Sequence, residues 1–168
     1  GFLSGFTGEE IERRVRSLGV KTDFIRLPSG FSRINVKIKA DRESEINGQG
    51  PEIPPEAIAA LFQRTDALRE GDTLVLAGSI PHTLPEDIYE RILSRLEGKG
   101  VRFVVDATND LLVNVLKYRP FLIKPNNKEL GEIFGRTLQN VEEIALYAGK
   151  LKDMGARNVL VSMGKEGA

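Results

Sequence analysis

A lysine, an asparagine and a glutamate gather in the stretch Ile123-Lys-Pro-Asn-Asn-Lys-Glu129. Lys124 brings a compact positive charge, and Asn126 and Glu129 bring oxygen three residues apart. Two chemistries suit that set. In the first, Asn126 caps a helix, Glu129 reaches back to the backbone, and Lys124 is merely solvated. In the second, Lys124 meets a phosphate while Asn126 and Glu129 lie near a phosphate-bound Mg²⁺, a hard cation that takes oxygen ligands. A capped helix start can also face a nucleotide. The two readings are compatible, and local spacing does not separate them.

Other polar groups recur where apolar runs stop. Gly78-Ser79 follows Leu74–Ala77, Asp106 follows Phe103–Val105, and Ser162-Met-Gly164 follows Val159–Val161. If these runs and Phe121–Ile123 are parallel strands, their carboxyl ends share one edge, so these three groups and the Asn126–Glu129 group converge on a polar ligand cleft. The strongest alternative signatures are missing. There is no GxxxxGK[ST] loop, no GxSxG elbow and no HExxH pair, and Gly48-Gln-Gly50 is broken as a GxGxxG by Pro51-Glu52-Ile53. The single histidine, His82 beside Pro81, reads as a surface turn residue.

The elements that must position these groups follow from periodicity. The run Phe121–Ile123 reads as a buried strand that stops at Lys124-Pro125, because proline has no N–H and biases its predecessor towards extension. The helix after it carries Leu130, Ile133 and Phe134 on one face, and its N-terminus is expected to present unpaired N–H groups to a ligand. From Pro55 onwards, helices (55 to about 69, 86–96, 110–117, 141–154) alternate with strands (73–77, 102–105, 158–161). That order implies right-handed crossovers and a parallel sheet with helices on both faces. The earlier part differs. A strand end and a glycine-rich turn lead to a helix over 9–18, whose first turn holds Glu9 and Glu10 and whose apolar face is Ile11, Val15 and Leu18. Three extended segments follow, Thr22–Leu27, Ser32–Lys39 and Glu43–Ile46, without a helix between them. Ile34, Val36 and Ile38 alternate with Arg33, Asn35 and Lys37, as in a half-buried antiparallel strand with one wet face. The division is therefore 1–20 as the start of an α/β body, 21–50 as a small three-stranded β lid, and 51–168 as the main body.

The totals bound the rest. At 168 residues the chain is long enough for a medium domain with a core. Lys plus Arg and Asp plus Glu are balanced at 24 each, so no global field favours nucleic acid or an anionic membrane. Cysteine is absent, which removes disulfides and thiolate metal sites. No apolar run approaches the roughly 20 residues of a membrane span. The chain reads as a soluble, cytoplasmic α/β protein. It begins without Met and stops just after a buried strand, at Met163-Gly-Lys-Glu-Gly-Ala168, so a central piece of a longer protein is expected.

Six segments in order, Gly1-Phe-Leu-Ser-Gly-Phe-Thr-Gly8, Ser32-Arg-Ile-Asn-Val-Lys37, Glu45-Ile-Asn-Gly-Gln-Gly-Pro51, Ala77-Gly-Ser-Ile-Pro81, Ile123-Lys-Pro-Asn-Asn-Lys-Glu129 and Val161-Ser-Met-Gly-Lys-Glu-Gly167, carry a resemblance. Over essentially the whole chain they resemble the ribokinase-like (PfkB) sugar kinases. The resemblance implies a ribokinase-like fold with a β lid. It also implies transfer of the ATP γ-phosphoryl to fructose 1-phosphate, or to tagatose 6-phosphate or fructose 6-phosphate in a sister enzyme. Arg33 would contact the phosphate already on the sugar through a bidentate guanidinium, with Asn35 beside it. Gly78 and Ser79 would line the sugar-phosphate pocket. Lys124, Ser162 and Gly164 would serve ATP, and Asn126 and Glu129 would organise Mg²⁺ through phosphate or water. Two family features are missing, an opening strand with its sugar-binding glycines and a late Gly-Ala-Gly-Asp whose Asp is the base. No catalytic base is therefore expected within these 168 residues, and alone they are expected to be inactive. A different class, a catalytically dead sugar-phosphate sensor, stays open, as does a homodimer paired through the lid.

Overall fold

The computed structural model describes residues 1–40, 43–78 and 80–168. They form two compact units, 1–64 and 65–168.

In the first unit, β1 (Phe2–Leu3) runs into α1 (Gly5–Ser17), and β2 (Ile25–Arg26) pairs parallel with β1. The β layer expected over 21–50 is therefore two-stranded among the described residues: β3 (Asn35–Lys39) and β4 (Glu43–Asn47) pair antiparallel, and β2 belongs beside β1. The expected third strand of that layer fails because a parallel partner was already available at the chain start. Helix α1 begins four residues before the expected start, so Glu9 and Glu10 fall outside its first turn. Its buried face also differs. Ile11 and Leu18 are 40% and 79% exposed, whereas Gly8 and Glu12 are buried. Glu12 is tolerated inside because its carboxylate is fully engaged. It accepts from Arg16 at 2.6 Å, Thr22 at 2.9 Å and Arg26. A buried charge needs such partners. The unit ends within α2 (Pro55–Asp66), at Arg64, which ties the helix back to the segment before β2 by donating to the Asp23 carbonyl at 2.6 Å.

Strand β3 is not half-buried. Val36, Ile38 and the facing Ile46 are 45%, 47% and 61% exposed, although the register places them on one side, with Val36 opposite Ile46. The other side is polar, with Lys37 paired to Glu45 at 2.7 Å.

The second unit holds the crossovers. In it, β5 (Thr73–Ala77), α3 (Ile88–Leu96), β6 (Arg102–Asp106), α4 (Asn109–Val115), β7 (Leu122–Ile123), α5 (Asn127–Ile133) and α6 (Val141–Asp153) follow in order. The strands form a parallel sheet in the order β5-β6-β7. Helix α3 turns Ile88, Tyr89, Ile92, Leu93 and Leu96 inwards, a helical spacing. With Val105, Leu112, Val115, Ile123, Leu130 and Leu151 these make the core, each of those six fully buried. Burying such a side chain contributes about 1.5–3 kcal/mol. Strand β5 is more open than a strand inside the sheet: among the described residues it has only β6 beside it, Leu76 is buried, and Val75 is 58% exposed.

The segment 158–162 lies parallel to β7 but joins it only by two bridges, Ile123 with Val159 and Asn126 with Ser162. Proline explains the gap. Ile123 N–H donates to Asn158 O, Leu160 N–H to Ile123 O, Ser162 N–H to Pro125 O, and Asn127 N–H to Ser162 O. The one rung missing from this parallel pattern is the donation from position 125, where proline has no N–H.

Candidate functional site

The carboxyl edge of the second unit's sheet gathers Gly78 after β5, Asp106 at the end of β6, Lys124 after β7, and Ser162 alongside. Hydrogen bonds hold the edge in register. Gly78 N–H donates to Asp106 O at 3.1 Å, and Lys124 N–H to Val105 O at 3.1 Å. Gly78 has φ +91°, with nothing within 4 Å of where a Cβ would sit, so glycine is required there for its backbone and not for space.

Lys124 is not merely solvated. Its Nζ lies 3.1 Å from Asp106 Oδ1, with both side chains about two-fifths exposed, at 38% and 41%. Asp106 thus holds the ammonium at the edge while leaving it reachable. Spacing in the sequence gave no sign of this pair, because the two residues are joined only by strand register.

The start of α5 is a complete capping box. Asn126 Oδ1 accepts from the N–H groups of Lys128 and Glu129, each at 2.9 Å, and Glu129 Oε2 accepts from Asn126 N–H at 2.7 Å. Asn127 N–H goes to Ser162 O at 3.2 Å. The expectation that this helix start offers unpaired amides is corrected: the amides of residues 126 to 129 are all occupied, so positive charge for an anion here comes from Lys124. The box also limits what the pair could do for a metal. Both lone pairs of Asn126 Oδ1 are engaged, leaving its NH₂ to donate to phosphate or water, and Glu129 keeps Oε1. That donor set fits a Mg²⁺ held mainly by phosphate and water, not a cage of protein ligands. Among the described residues, no three His, Cys, Asp or Glu side chains come together to hold a metal ion.

Tyr89 was missed by sequence reasoning. It lies on the buried face of α3, and its hydroxyl donates to Gly78 O at 3.1 Å. Burial, and then the nearby Asp106 carboxylate, push its pKa above the usual phenolic value. A tyrosine on an apolar helix face, whose O–H must find a partner when buried, was the available signal.

Ser162 is half-buried, and Gly164 opens a short 3₁₀ turn (Gly164–Glu166) at φ +63°. Ser79 lies outside the described residues. Arg33 and Asn35 belong to the first unit, both exposed, with Asn35 opening β3 opposite Asn47. His82 is exposed in a turn, as expected.

The model of the pfkB family of carbohydrate kinases matches residues 1–168. The chain belongs to this family. It is 45% identical to the 1-phosphofructokinase of Bacillus subtilis, over all of this chain and 55% of that protein. It is 36% identical to the D-tagatose-1-phosphate kinase of Bacillus licheniformis, again over all of this chain and 55% of the relative. A crystal structure of a candidate phosphofructokinase from Staphylococcus aureus superposes with a TM-score of 0.81 at 36% identity, covering 98% of this chain and 53% of that one. The chain thus spans about half the length of the relatives it matches. The α/β fold with a parallel sheet and a small antiparallel ribbon agrees with the sequence expectation.

Proposed function

We propose that this pfkB chain, extended to its relatives' length, transfers the γ-phosphoryl of ATP to the 6-hydroxyl of fructose 1-phosphate in the cytoplasm. The observation that carries this reading is Lys124, paired with Asp106 at the carboxyl edge of a sheet in a chain 45% identical to a 1-phosphofructokinase. Phosphoryl transfer depends chiefly on positioning and on neutralising charge, and an anchored, accessible ammonium supplies both. In this reading Lys124 meets the nucleotide's phosphates, with Ser162 and Gly164 along the nucleotide. Glu129 through its remaining oxygen, and Asn126 through its NH₂, face the phosphates and waters of a Mg²⁺. When bound, that ion supplies charge neutralisation at the β- and γ-phosphates. Arg33 and Asn35 hold the sugar's phosphate, and Gly78 and Ser79 line its pocket. A second copy of the chain covers the apolar side of the β3–β4 ribbon.

One observation favours a second reading. A relative 36% identical is a D-tagatose-1-phosphate kinase, which moves the competing acceptor from a 6-phosphate sugar to another 1-phosphate ketose.

The test is a coupled assay on the full-length protein with MgATP and, in turn, fructose 1-phosphate, tagatose 1-phosphate, tagatose 6-phosphate and fructose 6-phosphate. Highest kcat/KM on fructose 1-phosphate is expected. A preference for tagatose 1-phosphate selects the second reading. Binding without turnover on any of them leaves a sugar-phosphate sensor. The stretch 1–168 alone, assayed beside it, should show no turnover.

A further inference from the structure

Three segments far apart in sequence meet at the start of α1. Ser4, 4% exposed, donates its N–H to Ser32 Oγ at 3.0 Å, and Ser32 N–H donates back to Ser4 O at 2.9 Å. Thr7 Oγ1 donates to Ser32 O at 2.8 Å. The Ser4 hydroxyl lies 2.6 Å from Ser29 O and 2.9 Å from Gly30 O, so one proton serves two carbonyls. The N–H, the carbonyl and the hydroxyl oxygen of Ser32 are thus all held by residues 4 and 7.

Packing around this knot leaves little slack. A Cβ on Gly5 would stand 2.3 Å from the Phe31 ring and 2.6 Å from Gly30 O. One on Gly30 would stand 2.8 Å from Pro51, and one on Gly48 2.7 Å from Ile34 O. Gly48 N–H donates to Ile34 O at 3.1 Å. The residue before Arg33 is therefore tied to α1, and the residue after it to the end of the ribbon. Gly5 of Gly1-Phe-Leu-Ser-Gly5, Gly30, and Gly48 of Asn47-Gly-Gln-Gly-Pro51 thus serve the same knot.

We infer that Ser4, Thr7 and Ser32 form a polar latch that positions Arg33 for the phosphate of the sugar substrate. This rests on the proposed role of Arg33. A guanidinium recognises phosphate by a planar two-point contact, so its value depends on how well its backbone is fixed before the ligand arrives. With residues 32 and 34 pinned, the backbone of Arg33 is fixed on both sides before the ligand arrives.

The experiment uses the full-length protein and steady-state kinetics with fructose 1-phosphate and ATP varied separately. Ser32→Ala, and independently Ser4→Ala, should raise KM for the sugar phosphate about three- to tenfold, the effect of losing one buried hydrogen bond. KM for ATP and kcat should stay within about twofold, the spread expected when only ground-state binding of one substrate is lost. Ser32→Thr, which keeps the hydroxyl, should restore the sugar KM. Glu12→Gln, which loosens the same unit away from the loop, should lower Tm without moving that KM. Equal changes in the KM of both substrates, no rescue by threonine, or the same KM shift from Glu12→Gln would overturn the latch and leave only a general loss of stability. Arg33→Ala separates the two claims. If it leaves the sugar KM unchanged, the reading of Arg33 fails; if it raises that KM while Ser32→Ala and Ser4→Ala do not, only the latch fails.

Discussion

Lys124 and Asp106 face each other across neighbouring strands, and each is exposed enough for water to screen the pair. Such a pair contributes below about 1 kcal/mol to stability. Lys124→Met should therefore leave urea unfolding of the full-length protein nearly unchanged. A charged hydrogen bond to phosphate is worth about 1.5–3 kcal/mol, so kcat/KM for ATP should fall about ten- to a hundredfold. Loss of stability with ATP kinetics intact would show that the lysine is structural. Tyr89→Phe should do the reverse. It removes the hydrogen bond from the Tyr89 hydroxyl to the Gly78 carbonyl and should cost about 1 kcal/mol in urea, with smaller effects on turnover. At this scale the sequence was half legible. The lysine, asparagine and glutamate could be named because they share one short stretch. Asp106 could be placed on the same edge but not paired with Lys124, and Tyr89 could not be named, because strand register and helix packing bring these contacts together from residues far apart along the chain.

Helix α1 shows where pattern reading goes wrong and why. Its apolar residues predicted an Ile11–Val15–Leu18 face, yet the buried position is Glu12, since a carboxylate with three donors can be buried at little cost and a periodicity rule cannot foresee those donors. The hydrogen bond from Thr22, opposed by burial and assisted by Arg16 and Arg26, holds the Glu12 pKa below its ordinary value. A carboxylate depressed in the folded state adds stability that is fully present above its ordinary value, 4.5 for Glu12. That share is lost as pH falls through the lower folded value. Glu12→Gln should therefore melt at a lower temperature than the parent at pH 7. The gap should narrow as melts are repeated below pH 4.5; a gap that widens there would contradict the sign of the shift. The capping box of α5 was read correctly because it is local: Asn126 and Glu129 need only each other and the backbone between them. Asn126→Ala should cost about 0.5–2 kcal/mol in urea unfolding, the usual range for a lost cap.

A two-stranded ribbon is marginal in water on its own, and this one leaves Val36, Ile38 and Ile46 substantially exposed on one side. Its other side is polar, carrying the Lys37–Glu45 pair, so the apolar side is the one that lacks cover within its own unit. The sequence alternation identified that side but could not say whether the chain itself covers it, since alternation is blind to what packs above a strand. A second copy is a suitable occupant because the same apolar stripe on both chains is self-complementary about a two-fold axis. Ile38→Glu places a charge in the middle of the stripe, opposite Ser44, without disturbing the ladder. Sedimentation of the full-length protein should then shift from dimer towards monomer at micromolar concentration, while far-UV circular dichroism stays unchanged. Because Arg33 and Asn35 lie at the root of this ribbon, the monomer should also bind sugar phosphate more weakly, while its affinity for ATP is retained. An unchanged dimer would mean that the ribbon's apolar side is covered by something other than a second copy of itself.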